Sequence, residues 1–273
     1  MSSPRELREN NRLAVKRAEE FRRDVQRGDE EPLGFHTLKR EFPFHGFIPC
    51  SVRQKEFLLF AANDDVVGWE MFWTGEYERE VTDAWITIVK GSALVLDVGA
   101  YTGVMSILAC LFNPEAQVIA FEPMPRTVER LNINLRVNGF VDQVSVVPAA
   151  VSDTNGKVNI NMPRPVGFLG TGNSIDPKPG VNVVDTEEVR RVSLDDRAGE
   201  LLPSDGPIGA IKLDVEGHEL QALLGMRSLL KEHRPPMIVE VWRHERDELF
   251  QFLAELGYES TQLQGMNHLF LPT

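Results

Sequence analysis

The chain has 273 residues, a formal net charge of −12 at neutral pH and 42% apolar residues. That apolar share supports a sizeable core and excludes a disordered or fibrous protein, while the acidic balance argues against nucleic acid or an anionic membrane as the main partner, because phosphate binding needs a basic stripe. No apolar run is as long as a membrane span, the N-terminus lacks a signal-peptide core, and the two cysteines, Cys50 and Cys110, form neither a disulfide framework nor a metal spacing; a reduced cytoplasmic protein is expected.

Along residues 4–27, Leu7, Ala14, Ala18, Phe21 and Val25 lie seven, four, three and four apart, which draws one apolar stripe on a charged helix. Such a stripe packs on the domain body or on a second subunit, so a homodimer is one expectation. Residues 31–60 are richer in Pro, Phe and Gly and read as an extended arm. Trp69, Phe72, Trp73 and Tyr77 follow; they fit a core cluster better than the lining of a pocket.

From Leu94 the pattern becomes regular. "LVLDVG" reads as a buried strand, and Met105–Phe112 as a helix. "AQVIAFEP" is a second strand, and its helix "PRTVERLNINLRVNG" stops at Gly139. "QVSVVPAAV" reads as a third strand, "IGAIKLDVEG" as a fourth before the helix "HELQALLGMRSLLKE", and "PPMIVEVW" as a fifth before "RDELFQFLAELGY". The ending "STQLQGMNHLFLPT" reads as an antiparallel hairpin. Apolar strands alternating with amphipathic helices imply a parallel sheet covered on both faces. The expected division is residues 1–75 as helix and arm, covering substrate or contacting a second subunit, and residues 76–273 as the main domain. Between about Ser152 and Gly206 an insertion breaks the alternation: "GKVNINM" and "EEVRRVSL" alternate like edge strands, and "GFLGTGNS" with "DPKPG" resembles a lid or binding loop. In "SLDDR", Asp195 is expected to cap a helix start.

Ligands of open parallel sheets bind beyond the carboxyl ends of the strands. Asp97, Glu122 and Asp214 fall at such ends, and Glu240 lies near a fourth. A buried carboxylate without a partner is costly, so the set points to a ligand. Gly99 suits a tight turn, and Gly103 suits close approach of a ligand or strand to the helix start. Glu122 follows Gly103 by 19 residues, near the offset of a ribose-binding acid. Tyr101 replaces the middle glycine of a dinucleotide fingerprint, and Asp97 would repel a pyrophosphate. Asp97 suits a cationic, ribose-bearing cofactor without phosphate, which S-adenosylmethionine is.

"LDVGAYTG", "VIAFEPMPRTVERLNINLRVNG", "VRRVSLDD", "IKLDVEGHELQALLGM" and "PMIVEVW", in this order between about Tyr77 and Tyr258, resemble the FkbM family of S-adenosylmethionine-dependent methyltransferases. The resemblance implies a Rossmann-like class I fold, a mostly parallel seven-stranded sheet with an antiparallel C-terminal hairpin, and O-methylation of a hydroxyl on a sugar or secondary metabolite. It places Asp97, Gly99, Ala100, Tyr101, Gly103, Glu122, Pro123, Asp214 and, by family position, Glu78 around the cofactor. The family usually reads "GANIG" where this chain has "GAYTG", so Tyr101 stands for an asparagine.

Methyl transfer needs an aligned acceptor and a base for its proton. Asp214, His218 and Glu240 are the candidates, with His244 paired to Glu240 as a second choice. Histidine suits general-base work near neutral pH; a helix cap is the alternative role for Asp214, and Glu219 fits a cap better than a catalyst. Asp214, His218 and Glu240 could also ligate a divalent ion, but no compact ligand motif is present and no metal is expected. The competing functions are an N-methyltransferase, a nucleotide-cofactor oxidoreductase and a catalytically silent cofactor-binding module.

Overall fold

The computed structural model describes residues 3–27, 35–163, 169, 172–176, 180–203, 206–243 and 246–273. The rest of the "GFLGTGNS" and "DPKPG" segments and His244 lie outside the described residues. The chain forms two compact units, Met1–Tyr77 with Gly167–Gly170, and Glu78–Val166 with Thr171–Thr273. Among the described residues no helix is long and apolar enough to cross a membrane.

The first unit contains α1 (Pro4–Arg27), α2 (Phe35–Glu41), the strands β1 (Gly46–Val52) and β2 (Lys55–Ala61), and α3 (Val66–Thr74). The stripe on α1 buries Ala14, Ala18 and Phe21, and Phe21 meets Trp73 of α3 edge-on at 6.2 Å between ring centroids. Phe72 stacks against Phe44 at 4.6 Å, and Trp69, Phe72 and Trp73 are core while Tyr77 is half-buried. Asp65 caps α3 by accepting the Gly68 N–H. The expected extended arm is instead a helix and an antiparallel hairpin, β1 pairing β2 in register from Gly46↔Ala61 to Val52↔Lys55. Its two-residue turn places Arg53 and Gln54 at φ 46° and 65°. That left-handed turn normally advertises itself with Asn-Gly or Asp-Gly, and here no such signal is present.

The second unit contains α4 (Arg79–Val89), β3 (Leu94–Val98), α5 (Val104–Phe112), β4 (Gln117–Phe121), α6 (Pro125–Asn138), β5 (Val144–Val147), β6 (Ala150–Val151), β7 (Gly156–Met162) and β8 (Asp185–Val192). It continues with α7 (Leu194–Leu201), β9 (Ile208–Leu213), α8 (Glu219–Leu224), α9 (Arg227–His233), β10 (Met237–Glu240), α10 (Arg246–Glu255), β11 (Tyr258–Gln262) and β12 (Asn267–Pro272). Seven strands form one sheet in the order β11-β12-β10-β9-β3-β4-β5. Counted within that sheet, from β5 across to β11, the order is 3-2-1-4-5-7-6. β3 pairs parallel with both β4 and β9, whereas β12 runs antiparallel to β10 and β11. This is the mostly parallel seven-stranded sheet with an antiparallel closing hairpin that the resemblance implies. β3 is buried along its whole length, as a central parallel strand covered on both faces must be.

Three local expectations change. "QVSVVPAAV" is two strands: the chain leaves the main sheet at Pro148, which has no N–H for a ladder, and β6 joins β8 and β7 in a separate three-stranded sheet. "GKVNINM" and "EEVRRVSL" therefore form their own sheet, not edges of the large one. "HELQALLGMRSLLKE" is two helices, α8 ending at its C-cap Gly225 and α9 starting at Arg227; the Ser152 carbonyl lies so close to Gly225 that a Cβ there would come within 1.9 Å of it. Asp195 does not cap its own helix; its carboxylate accepts from Ser228 N (2.8 Å) and Leu229 N (3.1 Å), capping the first turn of α9. Asp195→Ala should cost about 1–2 kcal/mol of stability by urea denaturation while leaving cofactor affinity unchanged, which separates this acid from the strand-end set.

Candidate active site

β3 delivers the site's first residues. Asp97, 1% exposed, sits inside the strand, where the Ser106 hydroxyl of α5 donates to Oδ2 at 2.6 Å. Burial lifts the Asp97 carboxyl to about 6; the Ser106 hydrogen bond and the Lys212 ammonium hold it from going higher. The turn that follows is fixed by backbone: the N–H groups of Gly99 and Ala100 both donate to the Phe121 carbonyl at 2.9 Å. Gly99, at φ 85°, lies against the Asp214 carbonyl, and a Cβ there would come within 1.8 Å of that oxygen. Gly103, at φ 95°, is approached by Leu131 of α6, to which a Cβ would come within 2.4 Å. The neighbour described at Gly103 is thus a leucine of α6, where a ligand or a strand was expected, and its left-handed φ independently favours glycine.

Glu122 closes the next turn. Its Oε2 accepts the Tyr101 N–H at 3.0 Å and its Oε1 the Met124 N–H at 2.9 Å, so one carboxylate ties the β3–α5 turn to the β4–α6 turn; Pro123, next in the chain, is half-buried. Burial raises this carboxyl to about 7, against the two backbone donors that favour its charged form. Tyr101 is held at φ 49°, in the left-handed region where asparagine is far more comfortable than an aromatic residue. In the same turn the fully buried Thr102 hydroxyl has no hydrogen-bond partner among the described residues.

The second half of the site stands at the ends of β9, β10 and β12. Lys212, 3% exposed, lies beside Asp97 in the β3–β9 register. Its Nζ is 3.1 Å from Asp214 Oδ2 and 3.4 Å from Asn267 Oδ1. Burial alone would push this lysine down, but Asp214, Glu78 and Glu240 together push it above its ordinary value. Asn267 in turn lies 3.5 Å from Glu78 Oε1, and Trp242 Nε1 donates to Glu240 Oε2 at 2.9 Å. Glu240 is raised well beyond the carboxylate range, first by burial and then by the charges of Asp214 and Glu216. Glu240 is thus the strand-end carboxyl pushed toward its protonated form, and Asp214 is the one paired with the ammonium.

The structure thus brings Asp97, Gly99, Ala100, Tyr101, Glu122, Asp214, Glu240 and Glu78 to one sheet edge. Asp214 contacts Lys212 in place of the helix cap that was its alternative role. Glu219 does act locally, its Oε1 accepting from Val215 N and Gly217 N. His218 is engaged elsewhere: Nε2 lies 2.9 Å from Ser152 Oγ and Nδ1 lies 2.6 Å from Asp176 Oδ2. Among the described residues no three His, Cys, Asp or Glu side chains are grouped to hold a metal ion. Sequence reasoning missed Lys212 and Asn267. The signal for Lys212 was available, since a lysine inside the apolar run "IGAIKLDV", two residues before an acid, is buried only if it is paired.

Residues 97–260 match the model of the methyltransferase FkbM domain. Among curated proteins the chain is 26% identical over 204 residues to the methyltransferase sdnD of Sordaria araneosa, covering 65% of this chain and 78% of that one. It is 29% identical over 160 residues to the hexuronic acid methyltransferase AglP of Haloferax volcanii, covering 56% and 58%. It is 28% identical over 158 residues to the 2-O-methyltransferase NoeI of Sinorhizobium fredii, covering 53% and 62%. The match thus spans less than two thirds of the length of the last two relatives.

Proposed function

Because the chain belongs to the FkbM methyltransferase family, we propose that it transfers a methyl group from S-adenosylmethionine to a hydroxyl oxygen of a small, polyhydroxylated acceptor such as a sugar acid. The observation that carries this reading is the pairing of Asp214 with the buried Lys212 ammonium, 3.1 Å away, at a strand end next to Glu240. A hydroxyl acceptor needs such a base, whereas an amine with a free lone pair does not. The relatives named for a hexuronic acid and for 2-O-methylation favour a sugar hydroxyl.

The residues present suit this cofactor. Several carboxylates around one lysine make a negative site, which favours a sulfonium and an ammonium over a pyrophosphate. The unsatisfied Thr102 hydroxyl supplies a hydrogen-bonding group in the turn where the cofactor would lie. Asp97, Gly99, Ala100, Tyr101, Gly103, Glu122, Pro123 and Glu78 would hold it, Glu122 taking the ribose hydroxyls. When bound, S-adenosylmethionine supplies a methyl carbon already activated by its sulfonium. Asp214 receives the acceptor's hydroxyl proton, Lys212 fixes the Asp214 carboxylate through their ion pair, and Glu240 orients the acceptor through a hydrogen bond.

Calorimetric titration tests the cofactor, and transfer of labelled methyl to a panel of uronic acids and hexosides tests the acceptor class. S-adenosylmethionine and S-adenosylhomocysteine should bind and NAD should not. Glu122→Ala should weaken binding by about 1–3 kcal/mol. Binding of NAD alone would overturn the reading.

A further inference from the structure

Part of the insertion is tied to the strand-end turn by specific side chains. The Gly172 N–H donates to Glu216 Oε1 at 2.8 Å, and Glu216 is near enough to Glu240 to act on its charge. Ser174 exchanges backbone hydrogen bonds with Asn161 of β7 at 2.8 and 3.1 Å, and the Asn161 side-chain amide donates to the Ile175 carbonyl at 2.8 Å. Asp176 then meets His218, and His218 meets the buried Ser152.

The protons in that chain can be assigned. A carboxylate only accepts, so His218 Nδ1 carries a proton for Asp176. If His218 is neutral, Nε2 accepts a hydrogen bond from the Ser152 hydroxyl. If it is charged, Nε2 donates to Ser152, which donates in turn to Asp153 Oδ1 at 3.1 Å. In either case no imidazole lone pair is left for an acceptor hydroxyl.

We propose that Gly172–Asp176 forms a wall of the acceptor site beside Asp214 and Glu240, that Asp176, His218 and Ser152 are positioning residues holding it there, and that this wall selects among hydroxylated acceptors. The proposal rests on the methyltransferase reading above. It assigns His218 to acceptor recognition and removes it from proton transfer, and it gives roles to Ser152 and Asp176, which no motif marks. Asp176 is half exposed, so its replacement leaves the fold intact and makes it the preferred probe.

The test compares wild type with Asp176→Ala, Asp176→Asn and Ser152→Ala by amide hydrogen exchange, S-adenosylhomocysteine titration and methyl-transfer kinetics on the uronic acid and hexoside panel. In Asp176→Ala, exchange at the Gly172 and Ser174 amides should quicken by about tenfold or more and acceptor KM should rise by about tenfold. Its kcat should stay within about threefold and its S-adenosylhomocysteine Kd within about twofold. Asp176→Asn retains an acceptor oxygen and should recover most of the loss. A collapse of kcat at constant KM would overturn the proposal by returning His218 to the chemistry, and unchanged exchange and KM would overturn it by leaving the segment without a role. A wild-type protein that methylates none of the panel overturns the sugar-acceptor reading as well, whereas loss of the expected KM effect in an active protein overturns this proposal alone.

Discussion

Lys212→Met is expected to destabilise the protein by about 3–5 kcal/mol near neutral pH, since removing one partner leaves buried carboxylates without their counter-charge, and to abolish methyl transfer. Methionine fills nearly the same space, so the loss is electrostatic, not a cavity. The pH dependence identifies the cause. Lys212 holds Asp97 down in the native state, so its removal raises that carboxyl further above its unfolded value. A carboxyl raised by folding contributes most below its unfolded pKa, and its contribution is lost as pH rises through the folded one. The deficit should therefore be largest at pH 8 and shrink toward pH 4. Urea denaturation of both proteins at these two pH values checks this. A deficit independent of pH would reduce Lys212 to packing.

Asp97→Asn is expected to move stability and binding in opposite directions. The Asp97 carboxyl is raised from 3.8 to about 6 in the native state, a difference equivalent to about 3 kcal/mol against the charged form once pH exceeds both values. With the raised folded value, stability from this group is fully present below pH 4 and lost as pH climbs through 6. Asparagine keeps an acceptor for Ser106 and removes the charge, so the variant should gain about 1–3 kcal/mol at pH 7.5 and nothing at pH 4. The same change should weaken S-adenosylmethionine binding by about 10- to 100-fold if Asp97 faces the cation. Parallel denaturation and calorimetry read both effects, and a variant neither stabilised nor weakened in binding would remove Asp97 from the cofactor site. This is the trade expected where a functional charge is kept in an unfavourable place.

Periodicity and strand-end position exposed much of this architecture. "LVLDV" and "VIAFEP" are short, apolar and acid-terminated, and a parallel sheet allows few other placements for them. The closing hairpin was equally visible in "STQLQGMNHLFLPT". Contacts between residues far apart in the chain were not. Asp195 stands next to one helix start and caps another, 33 residues on. His218 carries the sequence signature of a catalytic base, but its partners lie 66 and 42 residues away. The hairpin at Arg53 and Gln54 escaped for a different reason: the turn uses side chains that ordinarily avoid its torsions. Lys212 escaped because a charge inside an apolar run conflicts with binary patterning, and such conflicts concentrate at functional sites.

The backbone at Tyr101 has a consequence for what this position can become. An ordinary residue held left-handed gives up about 1–2 kcal/mol, and the N–H that this torsion aims is the one bound to Glu122. The permitted alphabet at position 101 is thus written in torsion angles before it is written in side-chain chemistry. Glycine and asparagine are admitted freely, tyrosine under tension, and valine or isoleucine hardly at all. Tyrosine stands where the family pattern has asparagine, and its backbone N–H still donates to Glu122 from the left-handed bend. Variation here can therefore reshape one edge of the site while Glu122 keeps its hold on the turn.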